Sequence, residues 1–127
     1  MEKKILIVDD HKLIRDAVIQ IFKSEDEKHK VKCYSIDFAE NGIKAVESAK
    51  SCIYDLIIMD INMPIMDGLE ASKIILKETS NRNILVLSVV DDPEMIKKAL
   101  KIGAKGYLTK DNNTDILIEG FKEIIAG

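Results

Sequence analysis

Four apolar runs in this chain each break off at a residue able to do chemistry. Asp9 and Asp10 follow Ile5-Leu6-Ile7-Val8, Asp60 follows Leu56-Ile57-Ile58-Met59, Ser88 follows Ile84 to Leu87, and Lys110 follows Gly106 to Thr109. Three carboxylates brought to one place repel and are costly to keep ionised unless a cation neutralises them. Oxygen donors with few carboxylates favour a hard ion, and Mg²⁺ also keeps waters and binds substrate phosphate. Beside it, Ser88 could donate to a phosphoryl oxygen and Lys110 could place a positive charge on the same group. Singly, each has an ordinary reading: Asp9-Asp10 as a turn or helix cap, Ser88 as a turn residue, Lys110 as a solvated lysine. Acid, acid, hydroxyl and amine after four separate runs form a pattern that those readings do not explain.

The elements that must position these groups alternate along the chain. Strand-length runs rich in Ile, Leu and Val are separated by longer stretches of helical period, the pattern of βαβ units and a parallel sheet. Ile5 to Val8, Leu56 to Met59 and Ile84 to Leu87 are continuous and apolar, as central strands covered on both faces require. Lys32 to Phe38 is more polar and reads as an edge strand, and Gly106 to Thr109 as a short fifth one. Ile14, Val18, Ile21 and Phe22 mark a first helix, and the charged stretch Glu25 to Lys30 reads as a surface loop after it. Asn41-Gly42 opens a second helix to about Ser51. Asp67-Gly68-Leu69-Glu70 opens a third in the order of a capping box. Asp92-Pro93 opens a fourth that Gly103 closes, and a fifth runs from about Asn113 to Ala126. The expected fold is α/β, doubly wound, with five parallel strands and five helices. In such sheets ligands bind at the carboxyl ends of the strands, where the residues above are expected to lie.

Composition limits the alternatives. With 127 residues the chain fits one domain, and 46% hydrophobic with 32% charged residues is a globular balance. No apolar run approaches the roughly 20 residues of a membrane span, and the N-terminus lacks a secretory h-region, so a cytoplasmic protein is expected. The net charge of −3, with acids and bases interspersed, gives no footprint for nucleic acid. Cys33 and Cys52 lack CxxC spacing and are expected to be reduced and partly buried.

The motifs, taken together, resemble the response-regulator receiver domain. They are Ile-Leu-Ile-Val-Asp-Asp-His ending at His11, Met-Asp-Ile-Asn-Met-Pro-Ile-Met-Asp-Gly ending at Gly68, Leu-Val-Leu-Ser ending at Ser88, and Gly-Ala-Lys-Gly-Tyr-Leu-Thr-Lys ending at Lys110. They span nearly the whole chain in the family's order, and the Asp-Asp-His and last segments look most like the NarL/FixJ class. The resemblance implies a CheY-like sheet of order 2-1-3-4-5 and a phosphoryl group taken from a histidine kinase onto Asp60 as nucleophile. It implies Mg²⁺, with Mn²⁺ able to substitute, held by Asp10, Asp60 and the backbone carbonyl of Asn62, with Asp9 reaching it through a water. Lys110 and Ser88 would steady the transferring group, and Tyr107 would be the switch aromatic that follows Ser88. Members of this class usually carry a C-terminal DNA-binding helix-turn-helix, so residues 1–127 would be either a whole single-domain regulator or the receiver of a longer transcription regulator. The resemblance implies a signalling domain with at most slow self-dephosphorylation, not an enzyme.

Several residues are expected to stay structural. His11 stands at a helix start, where capping or solvent exposure is its ordinary role, and His29 sits in a charged stretch. Met59, Met63 and Met66 are read as packing, since the oxygens nearby select a hard ion. Asp111 stands where many receivers have proline, and Val89 where many have a smaller residue. A haloacid-dehalogenase-like phosphatase would need a second acid two residues after its nucleophile, but Asp60 is followed by Ile61-Asn62. A dinucleotide-binding module would need a Gly-rich loop after Val8. In the last helix Ile116 and Ile118 fall about 100° to either side of the Leu117, Phe121 and Ile124 stripe. Ile19 lies off the first helix's stripe. This leaves room for a phosphorylation-dependent homodimer through the first and fifth helices, or through the fourth helix, fifth strand and fifth helix.

Overall fold

The computed structural model describes residues 2–89 and 91–127. The chain alternates strand and helix: β1 (Lys3–Val8), α1 (Lys12–His29), β2 (Tyr34–Ala39), α2 (Gly42–Ser51), β3 (Leu56–Asp60), α3 (Gly68–Glu78), β4 (Ile84–Ser88), α4 (Pro93–Ile102), β5 (Gly106–Thr109) and α5 (Thr114–Ala126). All strands pair in parallel in the order β2-β1-β3-β4-β5. β3 and β4 are buried along their whole length and β1 over Ile5–Val8, whereas the edge strands β2 and β5 are half-open. For β2 that is the difference its polar composition anticipated.

Side chains alternate across the sheet into two layers. Ile5, Ile7, Ile58, Leu85 and Leu87 face Val18 and Phe22 of α1 and Leu117 and Phe121 of α5. The Phe22 and Phe121 rings stack 5.4 Å apart between the two helices. Leu6, Val8, Ile57, Met59 and Ile84 pack with α2 and α3. A smaller cluster of Ile61, Val86, Ala99 and Ala104 seats α4 and takes Tyr107 against it.

The helix starts follow their capping chemistry. Asn41, Asp67, Asp92 and Asn113 each accept a backbone N–H of the first turn, satisfying one of its orphan donors. Gly103 ends α4 in the left-handed conformation. One expectation fails: Glu25 to Lys30 is not a loop, because α1 runs unbroken to His29 and is closed by Lys30 at φ 58°. No Gly or Pro interrupts this stretch, and Glu25 turns inward to meet Lys122 of α5 at 2.8 Å, so its charge belongs to the helix pairing rather than to solvent. That contact, with burial opposing it, holds the Glu25 carboxyl below its usual range. Strand β2 also starts later than the polar run implied, at Tyr34 rather than Lys32.

Candidate functional site

The carboxyl ends of β1, β3, β4 and β5 converge, because parallel pairing keeps all strand ends on one edge. In the register Val8 is opposite Met59, Asp60 opposite Leu87, and Ser88 opposite Thr109. Asp9 and Asp60 are each 3% exposed and Ser88 1%. Lys110 Nζ joins the acids, 2.8 Å from Asp9 Oδ2 and 3.1 Å from Asp60 Oδ1. The Lys110 backbone N–H donates to the Ser88 carbonyl at 2.7 Å, which ties the lysine to the end of β4. No peptide bond among the described residues is cis, so with Asp111 after it Lys110 reaches the acids along a trans chain.

The two buried aspartates are held differently. Asp9 is fully engaged: its Oδ1 accepts the His11 backbone N–H at 2.9 Å, its Oδ2 accepts Lys110, and its carbonyl accepts the Arg15 guanidinium at 2.9 Å. Asp60 has one oxygen on Lys110, while Oδ2 is buried without a hydrogen-bond partner among the described residues. Burial, then the Asp9 charge, push the Asp60 carboxyl above its usual range, and Lys110 pulls it partly back. Burial disfavours the Lys110 ammonium, but its bond to Asp9 and the charges of both aspartates outweigh this and raise its pKa.

Asp10 is more open, its side chain 28% exposed. One carboxylate oxygen each from Asp9, Asp10 and Asp60, with a ring nitrogen of His11, lie within 4.8 Å of one another. Three carboxylates so close together, one of them with a buried oxygen that lacks a partner among the described residues, suit a divalent cation. Asn62 is exposed in the loop just after Asp60. Tyr107 is half-buried on β5 opposite Val86, with β4 between it and the strand that carries Asp60. Val89 is exposed at the end of β4.

Two features of the loop after Asp60 escaped sequence reasoning. Gly68 approaches so closely that a Cβ there would overlap the Asp60 carbonyl, so the glycine sets the depth at which α3 docks beneath the site. Ile65 sits at φ 73° with the Met66 N–H donating to the Pro64 carbonyl at 2.8 Å, a γ-turn that a β-branched residue adopts under strain. The third surprise is His11. Its ring is exposed, one of the two roles expected of it, and makes no side-chain cap, yet Nδ1 stands 3.0 Å from Asp10 Oδ1 and 3.4 Å from Asp9 Oδ1. Its place directly after two acids was the available signal. The methionines behave as packing: Met59 and Met63 are buried and Met66 lies against the same core cluster. Both cysteines are free and half-buried.

Known proteins share this arrangement. The family model described as "Response regulator receiver domain" matches residues 5–122. The chain is 39% identical over 124 residues to the transcriptional regulatory protein DegU of Brevibacillus brevis, covering 98% of this chain and 50% of that protein. It is 35% identical over 126 residues to the chemotaxis protein CheY of Halobacterium salinarum, covering 99% of both. Thus the chain spans about half of one relative and nearly all of the other. Among solved structures, the receiver domain of the sensor histidine kinase PA1611 from Pseudomonas aeruginosa, which has a magnesium ion coordinated in its active-site cleft, superposes with a TM-score of 0.84 at 25% identity, covering both chains fully. The strand order, the acids on the carboxyl edge and these matches agree, and the chain belongs to the receiver-domain family of two-component response regulators.

Proposed function

We propose that Asp60 is the phosphoacceptor of this receiver and that its Oδ2 is the attacking atom. The observation that carries this is the asymmetry of its carboxylate: Oδ1 is held by Lys110, while Oδ2 is buried without a hydrogen-bond partner among the described residues. Attack on a donor phosphoryl group forms the Oδ2–P bond as the donor's bond to phosphorus breaks, P–N in a phosphohistidine or P–O in an acyl phosphate, and the donor leaves with the bonding pair. Lys110, already bridging Asp9 and Asp60, follows the charge onto the phosphoryl oxygens, and Ser88 donates its hydroxyl to one of them. Asp10, Asp60 and the Asn62 carbonyl would hold Mg²⁺ or Mn²⁺, with Asp9 reaching it through a water. Such an ion, when bound, offsets the repulsion of the acids and the phosphoryl charge.

The donor is a histidine kinase, and the phosphorylated state is read out when Ser88 shifts and Tyr107 turns with it. The domain is a cytoplasmic switch with slow self-dephosphorylation, not a turnover catalyst. Joined to a C-terminal DNA-binding domain, as the likeness to DegU supports, it would control transcription; alone, it would act as CheY-like proteins do. Ile116, exposed on α5, and Ile118 and Ile19, partly covered, offer apolar surface for a phosphorylation-dependent homodimer.

The test is intact-mass analysis after incubation with Mg²⁺ and a small acyl phosphate. One phosphoryl group is expected on the wild type and none on Asp60→Asn or after chelation. Labelling that persists in Asp60→Asn would overturn the assignment.

A further inference from the structure

We infer that His11 is a nitrogen donor to the acidic pocket and gives it a preference for borderline ions of the zinc class over magnesium. This rests on the reading above that the pocket holds a divalent cation. Donors about 2.1 Å from a six-coordinate ion lie about 3.0 Å apart when adjacent and about 4.2 Å when opposite. His11 Nδ1 is 3.0 Å from Asp10 Oδ1 and 3.4 Å from the Asp9 Oδ1 that would hold a metal-bound water, and one oxygen of Asp60 lies within 4.8 Å of them. The His11–Asp10 spacing is therefore that of adjacent donors on one ion.

Two further observations favour a ligand over a mere ion pair. Asp60 belongs to the same group and its Oδ2 is buried without a hydrogen-bond partner among the described residues, so the pocket has an unmet demand for positive charge that Lys110 alone does not fill. The ring is also placed by backbone: the His11 N–H bonds to Asp9 Oδ1 at 2.9 Å while His11 holds the cap position of α1, which brings Nδ1 over the acids without a side-chain cap. With the side chain 67% exposed, a hydrated ion can reach the nitrogen from solvent. Oxygen donors alone bind Mg²⁺ and transition ions with modest discrimination. An imidazole nitrogen adds little to Mg²⁺ but strengthens binding of Zn²⁺ and its neighbours in the transition series.

Calorimetric titration of the metal-free protein with MgCl₂ and ZnCl₂ tests this, on the wild type, His11→Gln and His29→Gln. Glutamine keeps a hydrogen-bond donor for Asp10 but loses the basic nitrogen. Expected is a Zn²⁺ affinity at least about tenfold weaker in His11→Gln with Mg²⁺ affinity within about twofold, and no change of either in His29→Gln. Pulsed electron paramagnetic resonance of the Mn²⁺-loaded protein should show an imidazole-nitrogen coupling that His11→Gln removes. Equal loss of both metals in His11→Gln, an unchanged Zn²⁺ affinity, or a loss that follows His29 overturns the inference. Magnesium-dependent phosphorylation that proceeds in His11→Gln sustains the reading of Asp60 whichever way the zinc result falls, whereas a wild type that binds neither ion overturns the cation pocket itself.

Discussion

Asn81 and Asp60 are both almost fully buried, at opposite ends of the sheet, and their polar atoms are treated in opposite ways. At the amino edge, Asn81 Oδ1 accepts the Tyr54 N–H at 2.7 Å, and its amide donates to the carbonyls of Ala49 and Cys52 at 2.9 and 3.0 Å. Nearby, the Tyr54 hydroxyl donates to Asp37 at 2.7 Å, and burial followed by that bond raises its pKa. Every group there has a partner, and the effect is to staple α2, β2, β3 and the start of β4 together. At the carboxyl edge, Asp60 Oδ2 is left open and the surrounding acids are under mutual repulsion. Buried polarity that is saturated stabilises a fold; buried polarity left unsaturated weakens it, and at the carboxyl edge it leaves an oxygen open to a ligand.

The comparison is most severely tried by Asn81→Leu. It strands the Tyr54 N–H and two carbonyls in the core, and since each orphaned group costs about 1–3 kcal/mol, a loss of roughly 3 kcal/mol or more is expected in urea unfolding. Phosphorylation of the fraction still folded should proceed, since nothing at the carboxyl edge has changed. Gly68→Ala comes next. Overpacking against the Asp60 carbonyl should cost about 1–3 kcal/mol and, unlike Asn81→Leu, slow phosphoryl uptake in the folded protein, read by stopped-flow or intact mass.

Asp60→Asn should move stability the other way. Removing a buried charge whose proton affinity is raised by burial and by Asp9 stabilises the fold at neutral pH, seen as a higher urea midpoint measured in chelator. The pH dependence has a definite sign. Between the unfolded value and the raised folded value, the native state binds the proton more tightly, so wild-type stability falls as pH rises through that window. The advantage of Asp60→Asn is therefore largest at neutral pH and shrinks as pH is lowered into the window. An advantage that grows on acidification would mean that the open oxygen is not under strain. The smallest effect belongs to Asn113→Ala, which removes the α5 cap and should cost about 1 kcal/mol with unaltered phosphorylation.

Much of this was legible in the amino-acid order, for reasons that differ by region. The central strands announced themselves because burial on both faces demands unbroken Ile, Leu and Val, and the site followed because parallel strands must end together. Asn41, Asp67, Asp92 and Asn113 marked their helix starts because capping is a local interaction. What stayed hidden depended on contacts distant in sequence. Glu25 looked like surface because its partner, Lys122, lies on the last helix. Asn81 drew no notice because its three partners lie 27 to 32 residues earlier. His11 was read by its helix position alone, when the geometry of the acids beside it decides what its ring meets.

The 101-residue separation between Asp9 and the lysine that neutralises it sets an order of events during synthesis. At about 5–20 residues per second, a nascent chain carries β1 and its acid pair for roughly 5–20 s before Lys110 has been made, and longer before it clears the ribosome. A half-made chain can collapse around β1, β2 and β3, yet it holds Asp9 and Asp60 without their counter-charge. Chain order itself thus delays the counter-charge: the acid edge is neutralised only when the residues beyond the last strand arrive to complete it.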